Sequence, residues 1–302
     1  MIDRSNGLDA LRYIAACMVV FSHCFNEYQL YGFGGSFVDV FFVISGLVIA
    51  RTTDKQFWLP AFLKNRILRI YPSYIIATFL MIIAMIATGR PIQVSDIIRS
   101  LILVPSFGVE LYYPLLKVGW SLAYEMFFYI TFGITLFFER FFNRSFSLIM
   151  ILSLSVIISD IYVFEFWCGI VIYVISSKMV SSSTSSDLKA NILQITGFIG
   201  ILSGELLNVS GSSMAAPLIV MSSVVLVSGA YHSNYNIRLL VQLGRNTSYE
   251  IYLYHPLVIN ALAYALNYIG FSLRLPFFIL VTIVVTQAMV WVRKKCVHLP
   301  GD

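Results

Sequence analysis

The chain has 302 residues, 59% of them hydrophobic and only 12% charged, with a mean hydropathy of +0.83 and a formal net charge of +5. A water-soluble domain is about a quarter charged residues, so this sequence lacks the polar surface needed to coat a globule in water. A bilayer must solvate most of its outside. The positive charge is therefore a matter of membrane topology, and no nucleic-acid partner is expected. The four cysteines, Cys17, Cys24, Cys168 and Cys296, show no metal-ligand spacing. They read as small apolar residues, and no metal is expected.

A spanning helix needs about 20 mostly apolar residues. In chain order the candidates lie near 8–27, 36–51, 70–88, 117–138, 145–160, 161–178, 190–207, 214–231, 248–268 and 276–293. The first apolar run contains Arg12 and lacks a small-residue cleavage pattern, so it reads as a retained span rather than a signal peptide. Residues 54–69 carry Trp58, Pro60 and Phe62 among basic residues and are expected to lie along the inner interface. The stretch 90–116, with Pro91, Pro105 and Pro114, is the longest outer connection, and 181–187 is a Ser-rich linker. With the N-terminus inside, fifteen lysines and arginines fall on the inner side and four on the outer, Arg12 being within a span. That asymmetry predicts an all-α integral membrane protein, a bundle of about ten transmembrane helices with both termini cytoplasmic. It would be a multi-pass protein of the inner or plasma membrane. No repeat and no appended soluble domain is apparent, so residues 1–302 read as a single transmembrane domain.

Ionisable residues inside spans cost roughly 2.5–3.5 kcal/mol each on insertion scales and mark sites by default. Arg12 and His23 are eleven residues apart, which returns a helix to within about 20° and separates them by about 16 Å along one face. Arg12 falls nearer the inner side and His23 nearer the outer; snorkelling and interfacial hydrogen bonding are their bland alternatives. Asp39, four residues into the second span, and Glu125, two turns into the fourth, fall near the depth of His23. Each can instead serve as a first-turn acid or a structural hydrogen-bond partner. Arg66 and Arg69 share a helix face at the inner surface and suit phosphate, or anionic lipid. His255 precedes Pro256 inside the ninth span, where a freed carbonyl belongs beside a cavity; it can equally be a buried structural histidine. His232 and His298 read as solvated. Glu165 and Glu205 are interfacial acids or site residues, undecided by position.

These residues fall into a pattern. Leu8-Asp9-Ala10-Leu11-Arg12 with Ser22-His23, then Val38-Asp39-Val40-Phe41-Phe42-Val43-Ile44-Ser45-Gly46, then Phe62 to Pro72 with Arg66 and Arg69, then Trp120-Ser121-Leu122 with Glu125 and Phe128-Tyr129, then Gly244, Ser248-Tyr249, Tyr252-Leu253 and His255-Pro256 follow in order. In that order they resemble the membrane-bound acyltransferase 3 family. Leu47 stands where an aromatic commonly follows the glycine. The resemblance implies a ten-span enzyme that moves an acyl group, usually acetyl from acetyl-CoA, to a hydroxyl of a surface or exported glycan. It also implies that Arg12 and His23 are functional and that Arg66 and Arg69 are the family's paired arginines.

The expected reaction is O-acetylation of a surface polysaccharide (capsule, exopolysaccharide or O-antigen). His23 would be the general base, a transient acyl-histidine being the alternative, with Asp39 or Glu125 orienting its ring. Arg12 would lie on the donor path and Arg66 and Arg69 at the phosphates of acetyl-CoA, while Tyr249 and His255 line the cavity. The acceptor would be a surface or lipid-linked glycan, and glycan assembly proteins are possible partners. A flippase of lipid-linked sugars, or transfer from another donor such as succinyl-CoA, is the competing reading.

Overall fold

The computed structural model describes residues 5–27, 34–53, 58–105, 114–139, 152–153, 160–178, 186–233, 237–270 and 275–296. The described residues form ten α-helices and no strand. They are α1 (Asn6–Glu27), α2 (Phe37–Thr53), α3 (Leu59–Ala87), α4 (Val94–Ile102), α5 (Gly119–Glu139), α6 (Ile161–Lys178), α7 (Ser186–Val209), α8 (Ala215–His232), α9 (Arg238–Tyr268) and α10 (Leu275–Cys296). Five are long and apolar enough to cross a membrane: α1, α3, α5, α7 and α8, while α6 and α10 contain shorter apolar helices. Their large exposed side chains are apolar, among them Phe79 and Ile86 on α3 and Ile192, Ile195 and Ile199 on α7. That is the pattern of a surface solvated by lipid rather than water.

Three elements differ from the sequence expectation. The basic stretch ending at Arg69 and the third span are one continuous helix, α3, with Pro72 inside it. Its 29 residues extend about 43 Å, so the apolar segment carries its basic turns along as a rigid extension. The stretch expected to be the outer connection contains α4, an amphipathic helix begun by a Gln93–Asp96 capping box. Helix α9 starts ten residues before the expected span, because Arg238 to Thr247 continue its helix without a breaker. The fifth expected span, 145–160, lies almost entirely outside the described residues.

Helix α2 runs through the interior. Its residues Phe37, Val40, Val43, Ile44 and Leu47 are almost fully enclosed. It packs against α6 with backbone touching backbone. A side chain on Gly46 would overlap the Phe166 carbonyl, and one on Gly169 would overlap the Val43 carbonyl. Small residues that let helices approach this closely are a general device of membrane bundles. The same close approach joins α1 to α9, where Gly244 faces the Asp9 carbonyl.

Replacing Gly169 with Val should therefore force α2 and α6 apart. The expected cost is about 1–3 kcal/mol, the usual penalty for overpacking. Thermal unfolding in detergent, compared with the outward-facing Ile175→Val, checks it.

Candidate active site

Five helices line a partly open cavity. Arg12 enters it from α1, Phe41 and Ser45 from α2, Arg69 from α3, Ser121 and Glu125 from α5, and Tyr249 and Tyr252 from α9. Two guanidinium groups and one carboxylate give the cavity an excess of positive charge.

Each ionisable group is held from behind. Arg12 pairs with Asp9, one turn earlier on α1, at 3.6 Å. Asp9 is buried and accepts hydrogen bonds from Arg245 Nε at 3.1 Å and its terminal nitrogen at 3.0 Å. Glu125 accepts short hydrogen bonding from Tyr129, one turn along α5, and from Ser45 Oγ at 3.4 Å. Arg69 lies within electrostatic reach of Glu125, Tyr129 and Tyr249, yet its side chain is open to the cavity rather than packed away. Tyr249 donates to the Ile70 carbonyl at 2.9 Å, which fixes α9 to α3 beside Arg69. Arg66 turns elsewhere. It donates to Thr52 Oγ1 at 3.0 Å, and its guanidinium lies 5.2 Å from the Phe62 ring centroid and 5.1 Å from that of Tyr129. The two arginines thus flank Tyr129, with only Arg69 lining the cavity.

Toward the other end of α1, His23 Nδ1 lies 2.6 Å from His255 Nε2. The far nitrogen of His255, Nδ1, lies 3.1 Å from the Ile251 carbonyl. Pro256 explains why a ring N–H is welcome there. Proline lacks the N–H that would bond the Tyr252 carbonyl, and that carbonyl also lies beside the His255 ring. A carbonyl only accepts, so Nδ1 of His255 carries the hydrogen. In a neutral pair, His255 Nε2 is then an acceptor and His23 Nδ1 its donor. This leaves the lone pair of His23 on Nε2, pointing away from the contact.

The expected orienting role of Asp39 or Glu125 is not what the structure has: His255 occupies that place on His23. Helix geometry supplies the reason. Val38, Phe41 and Ser45 define the cavity face of α2, and Asp39, rotated about 100° from Val38, turns toward Glu165 and Glu205. Glu125 lies one turn beyond Ser121 along α5, about 6 Å nearer the Arg12 end. Glu205 caps α2, accepting from Gly34 N at 2.8 and 2.9 Å and from Ser36 N at 3.0 Å. Glu165 is fully enclosed, with Asp39 its closest electrostatic partner. Both acids left open by the sequence therefore cluster at the start of α2, away from the cavity lining.

Sequence reasoning missed Asp9, Arg245, Tyr129 and Tyr252 as site residues. Asp9 and Arg245 carried no signal of pairing, being 236 residues apart. Tyr129 could have been found from its spacing, since it follows Glu125 by four residues on one helix.

An apolar helical bundle with an arginine-lined interior cavity, and with a half-buried His23 held against a buried His255, fits a membrane enzyme with an interior site. The model of the family described as "Acyltransferase domain", acyltransferase family 3, matches residues 5–293. The chain belongs to that family and is an acyltransferase. It is 28% identical over 255 residues to "Exopolysaccharide production protein ExoZ" of Rhizobium meliloti (strain 1021), covering 77% of this chain and 78% of that one. It is 25% identical over 317 aligned positions to "Nodulation protein 10" of Rhizobium leguminosarum bv. viciae, covering 88% and 85%. No solved structure matches it.

If His255 sets the tautomer of His23, replacing it with Leu should slow acyl transfer roughly 100-fold or more, as loss of an orienting partner does in other histidine bases. His255→Gln, whose amide oxygen can accept from Nδ1, should recover part of that loss. Transfer rates at matched membrane levels of protein check the order.

Proposed function

We propose that this protein is an integral membrane O-acyltransferase that moves acetyl from acetyl-CoA to a hydroxyl of a cell-surface polysaccharide. It would sit in the inner or plasma membrane as ten spans with both termini cytoplasmic. The observation that carries the reading is the His23–His255 contact at 2.6 Å, above a cavity lined by Arg12 and Arg69. Family membership supports acyl transfer, and a relative whose name speaks of exopolysaccharide production supports the class of acceptor.

The donor presents phosphates to the arginines at the Arg12 end, where planar guanidinium forks match phosphate oxygens. Its thin pantetheine arm follows the cavity past Ser45 and Ser121 toward the histidines. There His23 Nε2 takes the proton from the acceptor hydroxyl as its oxygen attacks the thioester carbonyl. The new C–O bond forms, the C–S bond breaks, and the thiolate of CoA recovers the proton from His23. Acetyl-CoA and the alcohol thus become ester and free thiol, with no proton gained or lost. His255 keeps Nδ1 of His23 hydrogen-bonded throughout, so that Nε2 alone exchanges the proton. Asp9 and Arg245 aim Arg12, and Glu125 with Tyr129 balances the charge of Arg69. Arg66 steadies Tyr129 and supplies further positive charge beside the donor phosphates. Asp39 would contribute through the seating of α2 rather than through the reacting atoms.

Label transfer from radioactive acetyl-CoA to polysaccharide in isolated membranes tests the reading. His23→Ala should reduce transfer by at least about 100-fold, the lower bound for removing a general base, while the protein still accumulates in the membrane. Substantial transfer in that variant would sink the assignment of His23.

Arg69→Met should act differently. It should raise KM for acetyl-CoA roughly tenfold, the size of one charge-assisted hydrogen bond, with a smaller change in kcat. Donor titration in the same assay separates the two.

A further inference from the structure

Toward the histidines the cavity is bounded by two aromatic rings. Phe41 of α2 and Tyr252 of α9 both line it, and their ring centroids are 5.6 Å apart at an angle of 57°. The Tyr252 centroid is in turn 6.0 Å from that of His255, and the His255 ring is 4.8 Å from that of His23. Tyr252 precedes His255 by three residues, just under one turn of α9. Void, aromatic pair, His255 and His23 therefore follow one another along the helix.

The two rings are held in different ways. Tyr252 is buried, and its hydroxyl is 2.6 Å from Ser121 Oγ, which itself donates to the Val118 carbonyl at 3.0 Å. This ties the ring to the start of α5. Phe41 has only apolar contacts of its own to hold it. It packs against both the main core and the smaller apolar cluster that includes Ala16, Val20 and Cys24 of α1 and Ile251 of α9. One wall of the passage is thus pinned by a hydrogen bond, and the other yields only by displacing packed side chains.

We infer that the Phe41–Tyr252 pair is the filter that reads the acyl group, admitting a short uncharged chain to His23 and turning away longer or charged ones. The inference rests on the acyltransferase reading above and names what that reading leaves open, the identity of the donor. A longer acyl chain must displace Phe41 from the surface formed by Ala16, Val20 and Cys24, and overpacking of this kind is costly. A succinyl group would carry its carboxylate between two rings and an apolar wall, where an unpaired charge is strongly disfavoured. The arginines that could pair with such a charge line the cavity with Glu125, one turn of α5 beyond the Ser121 that holds Tyr252, and Lys117, the cation that acts on His23, is exposed and outside the cavity lining. Acetyl meets neither obstacle.

The test compares acetyl-, butyryl- and succinyl-CoA as labelled donors to polysaccharide in membranes holding the full chain. The unaltered protein should prefer acetyl. In Phe41→Ala the butyryl-to-acetyl ratio of kcat/KM should rise at least roughly tenfold, the lower bound for one methylene in an apolar pocket. Phe41→Leu, which keeps most of the packing, should raise it by less, and it carries the test if Phe41→Ala fails to accumulate in the membrane. Tyr252→Phe keeps the ring and loses the tether to Ser121, so its ratio should move in the same direction as Phe41→Leu. Ratios unchanged in both Phe41→Leu and Tyr252→Phe would overturn the filter, as would an unaltered protein that uses butyryl- or succinyl-CoA as readily as acetyl-CoA. Failure of the unaltered protein to transfer label from any of the three donors would instead overturn the acyltransferase-to-glycan reading itself.

Discussion

Helix α1 is fastened to α9 at both ends by polar contacts, in a bundle whose exterior is solvated by lipid. At one end Arg245 reaches Asp9, and Gly244 lets the two backbones touch. At the other, His23 bonds His255. A charged or hydrogen-bonding group in a bilayer must find its partner within the protein. For Asp9 and His23 of α1 that partner lies on α9, while Tyr13 accepts from Gln287 of α10 at 2.7 Å, so α1 and α9 are joined at both ends like one strut. The cavity opens along the face of that strut between the two fastenings. Moving α9 by one residue would misplace both contacts together, since successive residues are rotated by about 100°.

The same demand for partners sorts the acidic residues. Glu125 answers to Tyr129, Ser45 and Arg69 and stays with the cavity. Asp39, Glu165 and Glu205 gather around the first turns of α2, where exposed backbone N–H groups attract negative charge. Glu205 satisfies those donors directly. These four carboxylates thus fall into two groups, Glu125 facing the cavity and Asp39, Glu165 and Glu205 seating the helix that carries Phe41. The histidine pair is bordered by the aromatic ring of Tyr252.

Much of this was legible in the sequence. Composition alone required a membrane exterior. Apolar runs located nine helices among the described residues, and the order of Asp9, Arg12, His23, Asp39, Arg66, Arg69, Glu125 and His255 carried the family resemblance. Helical spacing placed Arg12 and His23 on one face of α1. The errors share one cause. Assigning Asp39 or Glu125 to His23 used depth alone, and depth does not fix direction around a helix. Splitting the basic stretch from the third span mistook a change in polarity for a break in the chain, although nothing between Leu59 and Ala87 stops a helix except Pro72, which α3 accommodates.

The sequence by itself determined the class of solvent, the helices and the inventory of reactive side chains, because each of these depends on local composition and periodicity. Only the tertiary structure decided who partners whom. His23 and His255 are 232 positions apart, and Asp9 and Arg245 236. Which nitrogen of His23 is available, which arginine faces the void, and which ring narrows it all follow from how α2, α5 and α9 are rotated against α1. That rotation is set by glycine contacts and buried hydrogen bonds between helices distant in the chain, and no periodicity within a single helix encodes it.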